Sequence, residues 1–295
     1  MGGGSWSKKA YASYSVDNNL AGSSITSAFV NTGTSAVNAI NSLNINARNY
    51  NIVSEHQVNV GVRECRDSEE HPETTPIIIA FDVTGSMGII PHKMITSLLP
   101  KLMNRLKEIG VTDPELLFIA FGDHYCDFDP IQITQFESDT EKICSSLQSL
   151  YLEGGGGGNG GESALLAWIV AGYHTEIDSW YKRGKKGFLF TISDEANHSE
   201  VEAKSLVKFM GYEKGCSSIT AVQALEKAKE QYNVYHIHVN DGFHRFESSW
   251  KELLGDNVIR CQSDDINTVI ADTIHNAISD NSSDITSENK SEYKY

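Results

Sequence analysis

The stretch that most constrains the fold of this chain is a short apolar run that ends on an aspartate, PIIIAFDVTGSMG at residues 76–88. Apolar residues follow one another from Ile77 to Phe81 without polar alternation, a pattern typical of a strand covered on both faces. Central strands of parallel sheets have this character, and ligands bind at the carboxyl ends of such strands. We therefore expect Asp82 to lie at a binding edge of a sheet.

The residues after this run carry oxygen atoms at alternate positions. Asp82, Thr84 and Ser86 would turn one carboxylate and two hydroxyls toward a common point if the loop curls, and Gly85 and Gly88 allow such a curl. These hard ligands suit Mg²⁺ or Mn²⁺ better than Zn²⁺, which prefers nitrogen and sulfur. The same residue types also form ordinary loops and helix caps, so this pattern alone leaves both interpretations open.

The rest of the chain alternates predicted strands with predicted helices. The predicted strands are 77–81, 116–121, 188–192 and 234–239, and the predicted helices are 91–109, 137–151, 162–172, 201–211, 218–231 and 266–278. Pro100 lies inside the first of these helices and should kink or divide it. The alternation predicts right-handed crossovers and an α/β fold of three layers, Rossmann-like, with a mainly parallel central sheet and helices on both faces.

The composition divides the chain into three parts. Residues 1–60 are rich in Ser, Asn, Ala, Gly and Thr, and we expect an N-terminal arm that orders only when it packs on the domain or on another copy. A wholly disordered leader is the alternative. Residues 61–279 form the predicted domain. Residues 280–295 are polar, acidic and without periodicity, so they are predicted to be disordered.

Charge and composition exclude several classes of function. A net charge of −15 over 295 residues argues against nucleic-acid binding, which requires a cluster of Lys and Arg. No apolar stretch approaches the ~20 residues of a membrane helix, and the start does not resemble a signal peptide. The 5 cysteines are widely spread without a Cys-x-x-Cys pair, which is typical of a reduced protein. We expect a cytoplasmic protein that binds neither nucleic acid nor membrane.

Three carboxylates and one glycine-rich turn converge on the same edge of the predicted sheet. Asp82, Asp123 and Asp194 each directly follow or closely follow a predicted strand, and the turn at 154–161 opens a predicted helix. Carboxyl ends of parallel strands meet at one edge, so these groups are expected to lie near one another.

These features resemble the von Willebrand factor A family over most of residues 76–278. In that family, three loops supply the ligands of a metal-ion-dependent adhesion site. The first loop reads Asp-x-Ser/Thr-x-Ser, and the resemblance assigns it to Asp82, Thr84 and Ser86. The third loop places an Asp after a later strand, which the resemblance assigns to Asp194 in FTISDEANH.

The second loop departs from the family pattern. GGGGGNGGESALL resembles a branch of the family that reads Gly-Gly-Gly-Asp-x-Pro-Glu; on that register Asn159 replaces the Asp, Gly161 replaces the Pro and Glu162 keeps the Glu. An amide oxygen is a weaker, neutral ligand, so we expect a lower affinity, or Glu162 as the ligand instead. Asp123 is either a residue that binds the metal through water or a loop cap.

The resemblance implies a protein-interaction module without catalysis. Such a site leaves one coordination position of Mg²⁺ or Mn²⁺ for a carboxylate supplied by another protein. A chain this acidic would otherwise repel an acidic partner, and a bound divalent cation reverses the sign of the charge locally.

A magnesium-dependent phosphatase is one alternative. FDVTGS is close to the Asp-x-Asp/Thr-x-Thr signature of haloacid-dehalogenase-like phosphatases, in which the first Asp is a nucleophile. Asp123 and Asp127 also mimic the metal-binding Gly-Asp-x-x-x-Asp of that family. In that fold, however, the second aspartate pair comes later in the chain, after Ser/Thr and Lys motifs on later strands. Here Asp123 comes only one predicted helix after Asp82, and no such motifs lie between them.

A structural or assembly protein is the other alternative. The Ser- and Asn-rich arm at 1–60 resembles, in composition only, the oligomerisation arms of assembly and virus-particle components. This interpretation predicts a homo-oligomer formed through the arm, and it is compatible with a working adhesion site.

Overall fold

A computed structural model describes residues 4–23, 31–32, 62–85, 87, 89–111, 113–127, 129–152, 161–239 and 246–291, and for 31–32 and 280–291 the backbone alone. The helices of this part are α1 (Lys8–Asp17), α2 (Ile89–Lys93), α3 (Leu99–Glu108), α4 (Thr140–Gln148), α5 (Leu165–Tyr173), α6 (Asp178–Arg183), α7 (Ala203–Met210), α8 (Ala221–Gln231), α9 (Glu247–Leu254) and α10 (Ile266–Ser291). The strands are β1 (Asn31–Thr32), β2 (Arg63–Cys65), β3 (Thr75–Asp82), β4 (Pro114–Phe121), β5 (Ile131–Ile133), β6 (Tyr151–Leu152), β7 (Thr175–Ile177), β8 (Gly187–Ser193), β9 (Glu200–Val201), β10 (Ile219–Thr220), β11 (Tyr232–Val239) and β12 (Val258–Cys261).

The central sheet has six strands in the order β12-β11-β8-β3-β4-β5. Every neighbouring pair is parallel except β4 and β5, which are antiparallel. Counted along the chain, this is the strand order 3-2-1-4-5-6 of doubly wound α/β folds. The order reverses between β3 and β8, and ligands bind at the carboxyl ends of the strands at such a switch point. Asp82 is the last residue of β3.

Side chains alternate across β3 and divide the core in two. Ile77 and Ile79 belong to the core cluster that includes apolar residues of α3, α4 and α10. Ile78 and Ala80 belong to the cluster that includes α5, α7, α8 and α9. Helices therefore cover both faces of the sheet, and the predicted three-layer α/β fold with a mainly parallel sheet is confirmed.

The predicted helix around Pro100 is divided by a change of helical pitch. A π-helical turn, Met94–Leu98, joins α2 to α3, and Pro100 lies in the first turn of α3. Proline has no N–H to donate to the carbonyls one turn earlier. The Tyr11 hydroxyl of α1 lies 2.8 Å from the Ile95 carbonyl oxygen and 3.1 Å from that of Thr96. Tyr11 therefore donates to carbonyls one turn before Pro100, where the proline itself supplies no N–H.

The first part of the chain packs on the domain. The side chain of Ser7 caps α1, a helix that was not predicted, and its backbone N–H donates to Thr140 Oγ1 at 2.8 Å. Leu20, just after α1, is 1% exposed and joins the core. Apart from β1, residues 24–60 of the predicted arm lie outside the described residues.

The closing helix is longer than the sequence predicted. α10 continues to Ser291, whereas a helix that ends at Ile278 and a structureless tail from residue 280 were expected. Residues 280–291 contain neither proline nor glycine, the two residue types that are least favourable inside a helix. Among the described helices, α10 included, none has a stretch long and apolar enough to cross a bilayer.

Candidate metal centre

The first carboxylate of the site is held by its own loop. Asp82 is fully buried, and its Oδ1 accepts hydrogen bonds from the Thr84 N–H at 2.7 Å and the Thr84 hydroxyl at 2.6 Å. This is an Asx turn, in which a short acidic side chain folds back on the next residues. Asp82 Oδ2 is buried and has no hydrogen-bond partner among the described residues. One oxygen of the carboxylate is thus fixed and the other is unsatisfied.

The loop after β3 curls as its sequence predicts. The Val83 N–H donates to the Phe121 carbonyl at 3.1 Å, which ties the loop to β4. The Met87 N–H donates to the Thr84 carbonyl at 3.1 Å, which closes a turn that leads into α2. Ser86, the third predicted ligand of this loop, lies outside the described residues.

A second buried carboxylate comes from the residues before α5. The Glu162 N–H donates to the Ala196 carbonyl at 2.8 Å, and the His198 N–H donates back to the Glu162 carbonyl at 3.0 Å. This short parallel bridge joins the segment before α5 to the loop after β8. Glu162 is 6% exposed, and its Oε2 has no hydrogen-bond partner in the described part of the chain. Asn159, the other predicted ligand of this loop, is not among the described residues.

The acidic side chains of the site repel one another. Burial raises the pKa of Asp82 to about 7 against the two hydrogen bonds from Thr84, and the charges of Asp194 and Asp127 raise it further. Burial raises the pKa of Glu162 to about 10, and the charge of Asp82 is the next cause. Among the described lysines and arginines, none forms an ion pair with Asp82 or Glu162.

The structure describes four of the predicted metal ligands, and charge interactions link Asp82 with Asp194 and with Glu162. Asp82 ends β3 and Thr84 follows it, Glu162 precedes α5, and Asp194 follows β8. Asp194 is half-buried, in contrast to the fully buried Asp82. Together these residues carry carboxylate and hydroxyl oxygens near the switch point of the sheet, which are the donor types that Mg²⁺ and Mn²⁺ prefer.

Asp123, which follows β4, lies in a different cluster that contains two histidines. Its Oδ1 lies 2.9 Å from His198 Nε2 and accepts from the Tyr125 N–H at 2.9 Å. His124 Nδ1 lies 2.6 Å from Ser163 Oγ. Tyr125 packs on both imidazole rings, with centroid distances of 4.0 Å to His124 and 4.9 Å to His198. Burial lowers the pKa of His124 to about 4.

Two residues near the site were not predicted to act there. Asp127 raises the pKa values of Asp82 and Glu162, and its Oδ2 accepts from the Asp123 N–H at 2.6 Å, which closes the turn after β4. The sequence already shows Asp127 four residues after Asp123, in the pattern Gly-Asp-x-x-x-Asp. His198 gave no local signal, because its contact with Asp123 joins residues 75 positions apart.

No family model matches the sequence, and no curated protein matches it either. Solved structures do match. One is the pilus adhesin SpaC from Lactobacillus rhamnosus GG, in its open conformation, with 9% identity over 74% of this chain and a TM-score of 0.44. The chain spans only 31% of that structure.

Two further structures are similar at the same level. The vWF domain of the type V pilus tip protein Mfa5 from Porphyromonas gingivalis has 12% identity over 75% of this chain and 96% of its own, with a TM-score of 0.44. Proximal thread matrix protein 1 from the mussel byssus has 13% identity over 72% of this chain and 49% of its own, with a TM-score of 0.44. At these values the similarities carry no argument about function, and the fold assignment rests on the strand order described above.

Proposed function

We propose that this chain is a non-enzymatic protein-interaction module of the von Willebrand factor A type. It binds Mg²⁺ or Mn²⁺ at the switch point of its sheet and holds a carboxylate of an acidic protein partner through that ion. One observation carries the proposal. Asp82 Oδ2 and Glu162 Oε2 are both buried at the same site, and neither has a hydrogen-bond partner among the described residues.

A divalent cation would satisfy both oxygens. Buried carboxylates without a counter-charge are strongly destabilising, so they normally pair with a cation or take up a proton. The pKa values of Asp82 and Glu162 are raised for this reason. The residues therefore fit a hard divalent ion, whose usual ligands are carboxylate and hydroxyl oxygens.

The described residues that would hold the ion are Asp82, Thr84, Glu162 and Asp194. Ser86 and Asn159 complete the proposed set on the strength of their sequence positions alone. Thr84 fixes Asp82 Oδ1 and so leaves Oδ2 for the ion. When bound, the ion supplies positive charge and one coordination position that a partner carboxylate can occupy.

The test uses Mn²⁺ as a paramagnetic probe of the open position. The chelator-treated chain is titrated with Mn²⁺, and the relaxation rate of water protons is measured with and without an excess of a glutamate-containing peptide. We expect an enhanced relaxation rate that the peptide lowers, because its carboxylate displaces a water from the ion. The same peptide with glutamine in place of glutamate is the matched control and should leave the rate unchanged.

Two results would contradict the proposal. If Mn²⁺ bound Asp82→Asn as tightly as the wild type, Asp82 would not be a ligand of the ion. If Mn²⁺ bound tightly but the glutamate-containing peptide left the relaxation rate unchanged, the ion would not hold a partner through a carboxylate.

The absence of catalysis and the cytoplasmic location remain predictions. The assembly alternative depends on the arm at residues 1–60, most of which lies outside the described part of the chain, and it also stays a prediction.

A further inference from the structure

We propose that Asp123, His124 and His198 form a second cation site, which takes a transition-metal ion of the Zn²⁺ class. Each of the three residues offers a ligand atom, and these atoms all lie within 4.8 Å of one another. Imidazole nitrogen with one carboxylate is a common ligand set of Zn²⁺, whereas Mg²⁺ prefers oxygen alone. The site shares no ligand with the proposed magnesium site.

The distances are close to those that a metal ion requires. Zn²⁺ binds histidine nitrogen and carboxylate oxygen at about 2.0–2.2 Å, so ligand atoms of a tetrahedral site lie roughly 3.3 Å apart. Asp123 Oδ1 and His198 Nε2 are 2.9 Å apart. All three ligand atoms lie within 4.8 Å of one another, so the remaining pairs would have to approach by at most about 1.5 Å.

The ring of His124 is already oriented by its neighbour. His124 is 4% exposed, and its Nδ1 lies 2.6 Å from Ser163 Oγ, which also accepts from the His124 backbone N–H at 3.0 Å. The other ring nitrogen, Nε2, is buried and has no hydrogen-bond partner among the described residues. Metal-bound histidines usually have their second nitrogen held by such a partner. Ser163 would fill that role and leave Nε2 for the ion.

The surroundings of His198 are fitted to its ring. A Cβ atom at Gly161 would lie 2.9 Å from His198 Cε1 and 3.1 Å from Nδ1, so only glycine admits the ring in this position. Tyr125 covers both imidazoles and is itself 48% exposed. The cluster is therefore partly covered but lies near solvent, which gives an ion a path to enter. Three protein ligands leave a further position for water or an outside donor group.

The test measures Zn²⁺ affinity in competition with a chromophoric chelator, on the full chain in the presence of excess Mg²⁺. We expect one tightly bound Zn²⁺ per chain. His124→Gln and His198→Gln should each weaken binding by more than about 100-fold, since loss of an orienting partner alone costs roughly 10–100-fold. Glutamine at 198 keeps a donor for Asp123, so the variant removes the ligand with little effect on folding. The matched control His275→Ala removes an exposed histidine of α10 and should bind Zn²⁺ as the wild type does.

A spectroscopic measurement and two further controls separate this site from its neighbours. Co²⁺ in place of Zn²⁺ should give the intense visible bands of a low-coordinate site, and both histidine variants should lose them. Cys126→Ser should keep the bands, which excludes the nearby thiol as the ligand. Asp82→Asn should also keep them, since it removes only the proposed magnesium site. Zn²⁺ binding that survives both histidine variants, or that is lost in Asp82→Asn, would overturn the proposal.

Discussion

The carboxylate of Asp82 is destabilised by the fold that buries it. Its ordinary environment would be the exposed end of a strand, but the Asx turn with Thr84 holds it inside the site. The pKa of Asp82 rises to about 7 because of burial, with a further contribution from Asp194. A loop cap uses only Oδ1, so the burial of Oδ2 without a hydrogen-bond partner among the described residues serves no purpose in the loop. The cost of burying this charge in the metal-free protein can be measured.

We predict that Asp82→Asn stabilises the metal-free protein. The unfolded chain releases the proton of Asp82 near the ordinary value of 3.8, whereas the folded chain releases it near 7. The folded state therefore loses stability as the pH rises through this window. The amide of Asn carries no charge, so the variant escapes this loss, and Oδ1 can still accept from Thr84. The free energy of unfolding in urea with chelator should exceed that of the wild type above pH 7, on the order of a few kcal/mol, and by little near pH 4.

Glu115→Gln is the matched control for this substitution. Burial raises the pKa of Glu115 to about 7, and its Oε2 has no hydrogen-bond partner among the described residues. Glu115 lies near the start of β4, paired with Pro76, and so at the opposite end of the strands from Asp82. Its substitution should raise stability with a similar pH dependence and leave metal binding intact. A metal-free Asp82→Asn protein less stable than the wild type above pH 7 would show that the Asp82 charge is compensated within the fold.

At the scale of elements, α1 and the π-helical turn depend on each other. α1 buries no residue fully and could not hold a helix by its own apolar face. Its contribution is the Tyr11 hydroxyl, which reaches the carbonyls of Ile95 and Thr96 beside Pro100. A divided helix was predictable from Pro100 alone. The partner of the freed carbonyls was not, because 84 residues separate Tyr11 from Ile95.

We predict that Tyr11→Phe destabilises the domain by roughly 1–2 kcal/mol, because buried carbonyls lose their donor. The free energy of unfolding in urea measures this effect. Tyr181→Phe is the control, since Tyr181 is 62% exposed and its substitution should change stability by less than about 0.5 kcal/mol. Equal stability of the two variants would mean that α1 does not support the π-helical turn.

At the scale of the whole molecule, the features that could be predicted from the sequence are those that depend on residues close together in the chain. Apolar runs located β3, β4, β8 and β11, and their alternation with helices gave the three-layer fold. Pairs formed between distant residues were missed, such as β2 with β7, because short strands carry little pattern of their own. The same division holds in the site. Asp82 and Thr84 are neighbours and were predicted, whereas His198 acquires its role only when the fold places it beside Asp123.

The measurement that tests the central claim most directly is thermal unfolding of the chelator-treated chain with and without millimolar Mg²⁺ or Mn²⁺. A ligand that binds only the folded state raises its stability by RT ln(1 + [L]/Kd), about 2.7 kcal/mol at 100-fold excess over Kd. We predict such a rise in the wild type and in Glu115→Gln, and its loss in Asp82→Asn. A folded wild type that shows no rise, or an Asp82→Asn variant that rises as much as the wild type, would contradict the proposed cation site.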